Sequence, residues 1–204
     1  VRQRASAYLS LKLAIMEFFL FEDHEEMPKE LYTEEGKPFE TCKQCGKSLL
    51  EPPVGYTLEK VFKRYPNTGK PEVLFEYAVC DSCAGDMRNE FSEESAKNLQ
   101  NYFAQSMQGR DGLDERDLSE RLSTCMIKNH DLAEEQEFAI VARGHGKKML
   151  KSHYPFAISL TAMDEMAQLL SHKTRDLLDD FVERNFTSPP EFEVVPPDGK
   201  WVLV

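Results

Sequence analysis

The sequence predicts an α+β fold, and three observations carry the prediction. Two stretches rich in β-branched and aromatic residues, 56–65 and 72–79, flank a turn. Stretches 84–107, 162–170 and 172–186 repeat apolar residues at helical spacing. Two Cys-x-x-Cys pairs stand just before and just after the two strands. The chain has 204 residues, enough to bury a sizeable core without covalent staples.

The elements follow in order. In residues 5–21, Leu9, Leu11, Leu13 and Ile15 alternate as a strand would. Leu9, Leu13, Met16 and Leu20 also lie opposite a narrow polar stripe of Ser10, Ala14 and Glu17, and the Leu, Lys, Ala, Met and Glu content favours a helix. So broad an apolar surface needs a cover: packing on the body of the protein is preferred, with a homodimer seam through 5–21 as the alternative. Residues 17–40 hold nine acids against Lys29 and Lys37, a net of -7, broken by Met27-Pro28 and Gly36-Lys37-Pro38. This reads as an acidic linker with a short helix at most. His24, among Glu22, Asp23, Glu25 and Glu26, belongs to a solvated surface rather than a metal site.

Pro52-Pro53 and the run Pro66-Asn67-Thr68-Gly69-Lys70-Pro71 are turn signals. Between and beyond them, Tyr56–Tyr65 and Glu72–Val79 form a β-hairpin, with Val73, Phe75, Tyr77 and Val79 on one face. A helix over 84–107 follows, with Met87, Phe91, Leu99, Tyr102, Phe103 and Met107 available to its apolar face. Gln108 to Gly112 is a polar break. The organisation is therefore an N-terminal helix and linker (1–38), a cysteine module (39–110) and a C-terminal module of short antiparallel strands and helices (111–204).

In the C-terminal module Leu113, Leu118 and Leu122 suggest a short helix. Strands are expected at 137–141, 148–151 and 156–160, the first two around the turn Gly144-His145-Gly146. Thr161 has the N-cap pattern for a helix over 162–170. A helix over 172–186 follows, with Leu177, Leu178, Phe181 and Val182 inward, stopped by Ser188-Pro189-Pro190. Residues 192–195 and 201–204 read as short β-type ends. Thr41-Cys42 and Thr124-Cys125 each precede hairpin-like and helical segments, but two shared residues are better explained by chance than by a repeat.

Cys42-Lys43-Gln44-Cys45-Gly46 and Cys80-Asp81-Ser82-Cys83 are the chemically specific feature. Two intervening residues let both sulfurs of a pair face one point about 2.3 Å away, as tetrahedral zinc requires. Gly46 suits the tight knuckle behind the first pair. The hairpin between the pairs sends the chain out and returns it beside its start. Residues 41–70 carry a local net of +4, which favours thiolates and offsets the charge of a four-thiolate site; the start of a helix at the second pair acts in the same direction.

The order of knuckle, hairpin and a second pair at a helix start resembles the treble-clef and zinc-ribbon class of zinc-binding modules. The resemblance covers residues 39–107, and the helix directly after Cys83 favours treble clef. It implies that Cys42, Cys45, Cys80 and Cys83 hold one structural Zn²⁺. Members of the class serve in nucleic-acid binding, protein interaction and ubiquitin-related chemistry, so the fold alone selects no function. Iron in the same ligand set is the lesser alternative. A redox dithiol at Cys80 and Cys83 is another, but it needs no matching pair at Cys42 and Cys45.

Other candidates are weaker. Lys60, Phe62, Lys63, Arg64, Tyr65 and Lys70 make a basic, aromatic hairpin, a candidate partner-binding surface on which nucleic acid would be held by base stacking and phosphate contacts. A solvated strand face, or compensation of the metal site, is preferred, because the whole chain carries -11. Arg143-Gly144-His145-Gly146-Lys147-Lys148 lacks the phosphate-loop spacing and reads as a turn. Cys125 and His130 have no ligand pair nearby and read as a buried thiol and a surface imidazole. No nucleophile elbow, zinc-protease motif or Ser-His-Asp spacing is present, and a four-cysteine site leaves zinc no open position. No stretch of about 18 uncharged apolar residues exists. Tyr8–Phe21 carries Lys12 and Glu17 and lacks a cleavage site. Five cysteines then point to thiol or metal chemistry in the reducing cytoplasm. The expectation is a cytoplasmic, non-enzymatic zinc protein that binds another protein. A nucleic-acid-associated zinc protein and a thiol redox or metal sensor are the alternatives.

Overall fold

A computed structural model describes residues 23–108, 116–151 and 154–186. The expected apolar helix at 5–21 and the β-type ends at 192–195 and 201–204 lie outside the described residues. Among the described residues six strands form one antiparallel sheet: β1 (Asp23–Glu26), β2 (Gly55–Arg64), β3 (Pro71–Cys80), β4 (Glu137–His145), β5 (Lys148–Lys151) and β6 (Phe156–Ser159). Along one path their order is β1-β5-β4-β2-β3, and β6 also pairs with β4. Five α-helices accompany them among the described residues: α1 (Asp81–Asn89), α2 (Glu93–Met107), α3 (Leu118–Ser123), α4 (Leu160–Gln168) and α5 (His172–Asn185).

The hairpin of β2 and β3 is the one the turn signals predict, with Tyr56 opposite Cys80 and a bulge at Val61/Phe62. Its neighbour is not predicted from sequence. β2 pairs along its length with β4, from Gly55 opposite His145 to Lys63 opposite Glu137. These two strands lie at the middle of the sheet and are covered on both faces. Residues 56–61 and 137–142 are all buried, so the pattern is continuous burial rather than alternation.

One face of β2 and β3 packs against α5. Tyr77 lies 6.1 Å from Phe181 and 5.4 Å from Phe186, ring to ring. The Tyr77 hydroxyl donates to the buried carboxylate of Glu59 across the hairpin. The other face is covered by the acidic segment expected to be a linker. That expectation is corrected: Asp23–Glu26 is a strand paired with β5, Lys29–Leu31 is a turn of 3₁₀ helix, and Met27, Leu31 and Phe39 are core residues. The segment is tied down by polar bonds that composition does not reveal. Lys60 Nζ donates to the carbonyl of Tyr32, and the amide of Glu34 donates to Glu76 Oε1 at 2.8 Å.

Two helix boundaries also differ from expectation. The single helix over 84–107 is two helices, because Ser92 caps a new start: its Oγ accepts from the Ser95 amide at 3.1 Å. Two acids, Glu93 and Glu94, occupy the first turn, where the helix dipole favours them. The helix expected from Ala162 begins at Leu160, capped by Ser159 rather than Thr161. Close packing explains the displacement, since Ser159 is fully buried at the end of β6 and its Oγ takes the Ala162 amide at 3.4 Å.

The starts of α2 and α5 meet. Ser92 N donates to Thr174 Oγ1 at 3.1 Å and Ser171 N donates to Ser95 Oγ at 2.8 Å, with Ser92 Oγ and Ser171 Oγ 2.8 Å apart. Each serine therefore caps its own helix and joins the other. Replacing Ser171 by Ala is expected to cost about 1–2 kcal/mol by chemical denaturation. The Ser92→Ala/Ser171→Ala double variant is expected to lose less than the two single losses added, because both sever the same contact.

Candidate metal centre

The first cysteine pair sits in a short reversal of the chain. Thr41 bridges Ser48, Cys42 N donates to the carbonyl of Lys47 at 2.8 Å, and Gly46 N donates to the carbonyl of Cys42 at 2.8 Å. Gly46 takes φ +70°, the left-handed region that a side chain would strain. The second pair lies where β3 becomes α1. Cys80 is both the last residue of the strand and the N-cap of the helix, and Cys83 stands in the first turn.

Two bonds dock the knuckle onto this junction. Lys43 N donates to the carbonyl of Ala78 at 2.8 Å, and Cys80 N donates to Cys42 Sγ at 3.3 Å. The four sulfurs of Cys42, Cys45, Cys80 and Cys83 consequently lie within 4.8 Å of one another. Cys45 Sγ and Cys80 Sγ are 3.9 Å apart. A tetrahedral ion with bonds of about 2.3 Å spaces its sulfurs at about 3.8 Å, whereas a disulfide would need about 2.05 Å. None of the five cysteines is joined in a disulfide. Cys42 and Cys80 are buried, Cys83 is half-buried and Cys45 is exposed, so the centre sits at the edge of the core with one side open to solvent.

Burial pushes the Cys42 thiol up, but donation from the backbone at Cys80, Cys45 and Gln44 and from the Cys45 side chain outweighs it and brings it down to about 7. Burial pushes Cys80 up, opposed by bonds to Cys83 and reinforced by the neighbouring Cys42 sulfur. Burial likewise pushes Cys83 up, and the other cysteines of the cluster add to the rise. Sulfurs crowded this closely resist ionising together without a cation among them.

No protein-family model, curated protein or solved structure matches the chain. The assignment of the centre therefore stands on its geometry. Among the described residues these four cysteines are the one cluster arranged to hold a metal ion.

The other candidates are dispersed. Lys60 is only 5% exposed and lies 3.4 Å from Glu76; Lys63 pairs with Glu137 at 3.3 Å. Arg64 donates to the carbonyls of Gly69 at 2.9 Å and of Glu135 and Leu132 at 3.4 Å. Phe62 stacks on Phe138 at 5.1 Å, the ammonium of Lys63 lies 5.7 Å from the Tyr65 ring, and Lys70 is exposed at the hairpin tip. The cationic groups of Lys60, Lys63 and Arg64 thus have partners within the chain. His130 turns to Glu135 at 2.7 Å, while Cys125 is buried against Ser159. His24 and His145 are exposed, 5.8 Å apart between rings.

Sequence reasoning missed the support that α5 gives the knuckle. Asn185 Nδ2 donates to Gln44 Oε1 at 2.9 Å, and the ammonium of Lys43 lies 5.2 Å from the Phe186 ring. No local signal marks a contact across so many residues.

At neutral pH the metal-free centre holds Cys80 and Cys83 protonated, so a metal must displace at least those two protons. Affinity is therefore expected to weaken on acidification, by about a hundredfold or more per pH unit for two released protons. Competition against a chromophoric chelator at pH 6 and pH 7 measures this, and a pH-independent affinity would mean that the thiols are not the ligands.

Proposed function

We propose that this chain is a zinc protein of treble-clef type, with one Zn²⁺ held by Cys42, Cys45, Cys80 and Cys83 in a structural role. The observation that carries the reading is the gathering of four sulfurs within 4.8 Å of one another from two distant segments. The metal would join the knuckle to the β3–α1 junction and neutralise thiolates that the fold otherwise holds together only at a cost. Zinc is preferred to iron because the second pair runs directly into a helix at Asp81 instead of into a second glycine-rich knuckle.

The role we propose is non-enzymatic binding of another protein in the cytoplasm. Four thiolates complete a tetrahedral zinc and leave no position for substrate. Free cysteines suit a reducing compartment. A nucleic-acid role is less well supported, because Lys60, Lys63 and Arg64 are engaged within the chain and the net charge is -11.

Elemental analysis of the purified full chain tests the metal. One equivalent of zinc is expected, lost to a strong chelator with a fall in melting temperature of several degrees or more. Cys80→Ser is expected to abolish both the bound zinc and the sensitivity to chelator. A stable chain without stoichiometric metal would overturn the reading.

A further inference from the structure

We infer that the described chain contains the same unit twice, related by a pseudo-two-fold axis, and that Cys125, Lys128, Ser159 and Ala162 are a metal-free counterpart of the four-cysteine centre. The inference rests on reading that centre as a metal site. The Thr-Cys likeness is the visible remnant of a correspondence that runs through the backbone.

The knuckles correspond bond for bond. Thr124 bridges Asp131 as Thr41 bridges Ser48. Cys125 N donates to the carbonyl of His130 at 2.9 Å and Asn129 N to the carbonyl of Cys125 at 2.8 Å, repeating the pattern of Cys42, Lys47 and Gly46. Asn129 stands where Gly46 stands, and with φ +55° it is the one non-glycine residue of positive φ among the described residues. Asparagine is among the few side chains that tolerate this region.

The docking onto strand and helix also repeats. Met126 N donates to the carbonyl of Ala157 at 2.8 Å, as Lys43 N does to Ala78. Ser159 N donates to Cys125 Sγ at 3.3 Å, as Cys80 N does to Cys42 Sγ at 3.3 Å. Ser159 ends β6 and caps α4, just as Cys80 ends β3 and caps α1, and both helices have 9 residues. In each unit the cap of the next helix, Ser92 or Ser171, lies the same number of residues onward.

The contacts between the units have the symmetry that such a pair requires. Ala78 pairs with Leu58 and Ala157 with Ile140, which makes Leu58 and Ile140 equivalent. Between the units, Leu58 faces Ala142 and Ile140 faces Lys60. Exchanging the units maps this ladder onto itself about the pair Glu59 and Val141. The helix starts obey the same axis: Ser92 N reaches Thr174 while Ser171 N reaches Ser95, with the two serine hydroxyls meeting between them.

Chemistry, not backbone, separates the two centres. Lys128, Ser159 and Ala162 stand at the positions of Cys45, Cys80 and Cys83, so one sulfur remains. Cys125 Sγ takes the amides of Lys128 and Ser159 and lies against Ser159 Oγ, each at 3.3 Å. The Lys128 ammonium turns away to Glu165, 2.5 Å from Oε1, and the Tyr102 hydroxyl donates to the same carboxylate at 2.7 Å. Hydrogen bonds and an ion pair thus do in the second unit what a metal does in the first.

The test restores the missing ligands. The full chain carrying Lys128→Cys, Ser159→Cys and Ala162→Cys, refolded with zinc supplied, is expected to bind two equivalents where the natural chain binds one. Lys128→Cys/Ser159→Cys leaves the buried Ala162 untouched; it is expected to gain a weaker three-thiolate site, visible with Co²⁺ as additional thiolate-to-metal charge-transfer absorption. Variants that stay at one equivalent, or that both fail to fold with zinc present, overturn the proposal. A natural chain with no metal overturns the proposed function instead, and so the two failures are distinguishable.

Discussion

Bringing four thiols to one point is the constraint on which the rest of this structure turns. Sulfurs within 4.8 Å of one another gain little from mutual contact, and their ionised forms repel. The chain nevertheless spends a glycine in the left-handed region, a helix cap and the end of a strand on putting them there. A cation bound there would convert that arrangement from a cost into a cross-link. The knuckle would then be a fixed part of the core edge, where α5 already rests Asn185 and Phe186 against it.

The second constraint is the central ladder of β2 and β4. Both strands are covered on both faces, by α5 on one side of the hairpin and by the segment around Leu31 on the other. Burial of this kind stabilises by roughly 1.5–3 kcal/mol per large apolar side chain. It also requires partners for Glu59 and Lys60, which Tyr77, Glu76 and the Tyr32 carbonyl supply. A ladder shared by two similar units explains why one sheet spans both cysteine-containing segments. It also explains why α2 lies beside the second unit, with Asn98 donating to Leu169 and Tyr102 to Glu165, while α5 lies beside the first.

Much of this was legible in the residues. The spacing of Cys42, Cys45, Cys80 and Cys83 named the cluster, and the turn at Asn67-Thr68-Gly69 with its flanking strands named the hairpin that closes it. What escaped has physical causes. Ser92 looked like an interior helix residue because Phe91 and Leu99 continue the apolar period around it. Ser159 was hidden by the apolar run of β6. The acidic residues around Met27, Leu31 and Phe39 suggested a linker, since charge outweighs three buried side chains in any average over composition. Lys60 and Arg64 looked like surface charges because the Tyr32 carbonyl that takes Lys60 and the Leu132 and Glu135 carbonyls that take Arg64 come from segments distant in sequence. The likeness of the two units is carried by main-chain hydrogen bonds, which leave almost no trace in a sequence where Lys128, Ser159 and Ala162 stand opposite three cysteines.

X-ray absorption at the zinc edge of the purified full chain is the most direct measurement of the central claim. The account predicts a shell of four sulfur atoms at about 2.3 Å and no light-atom ligand. A shell containing nitrogen or oxygen, or fewer than four sulfurs, would contradict it.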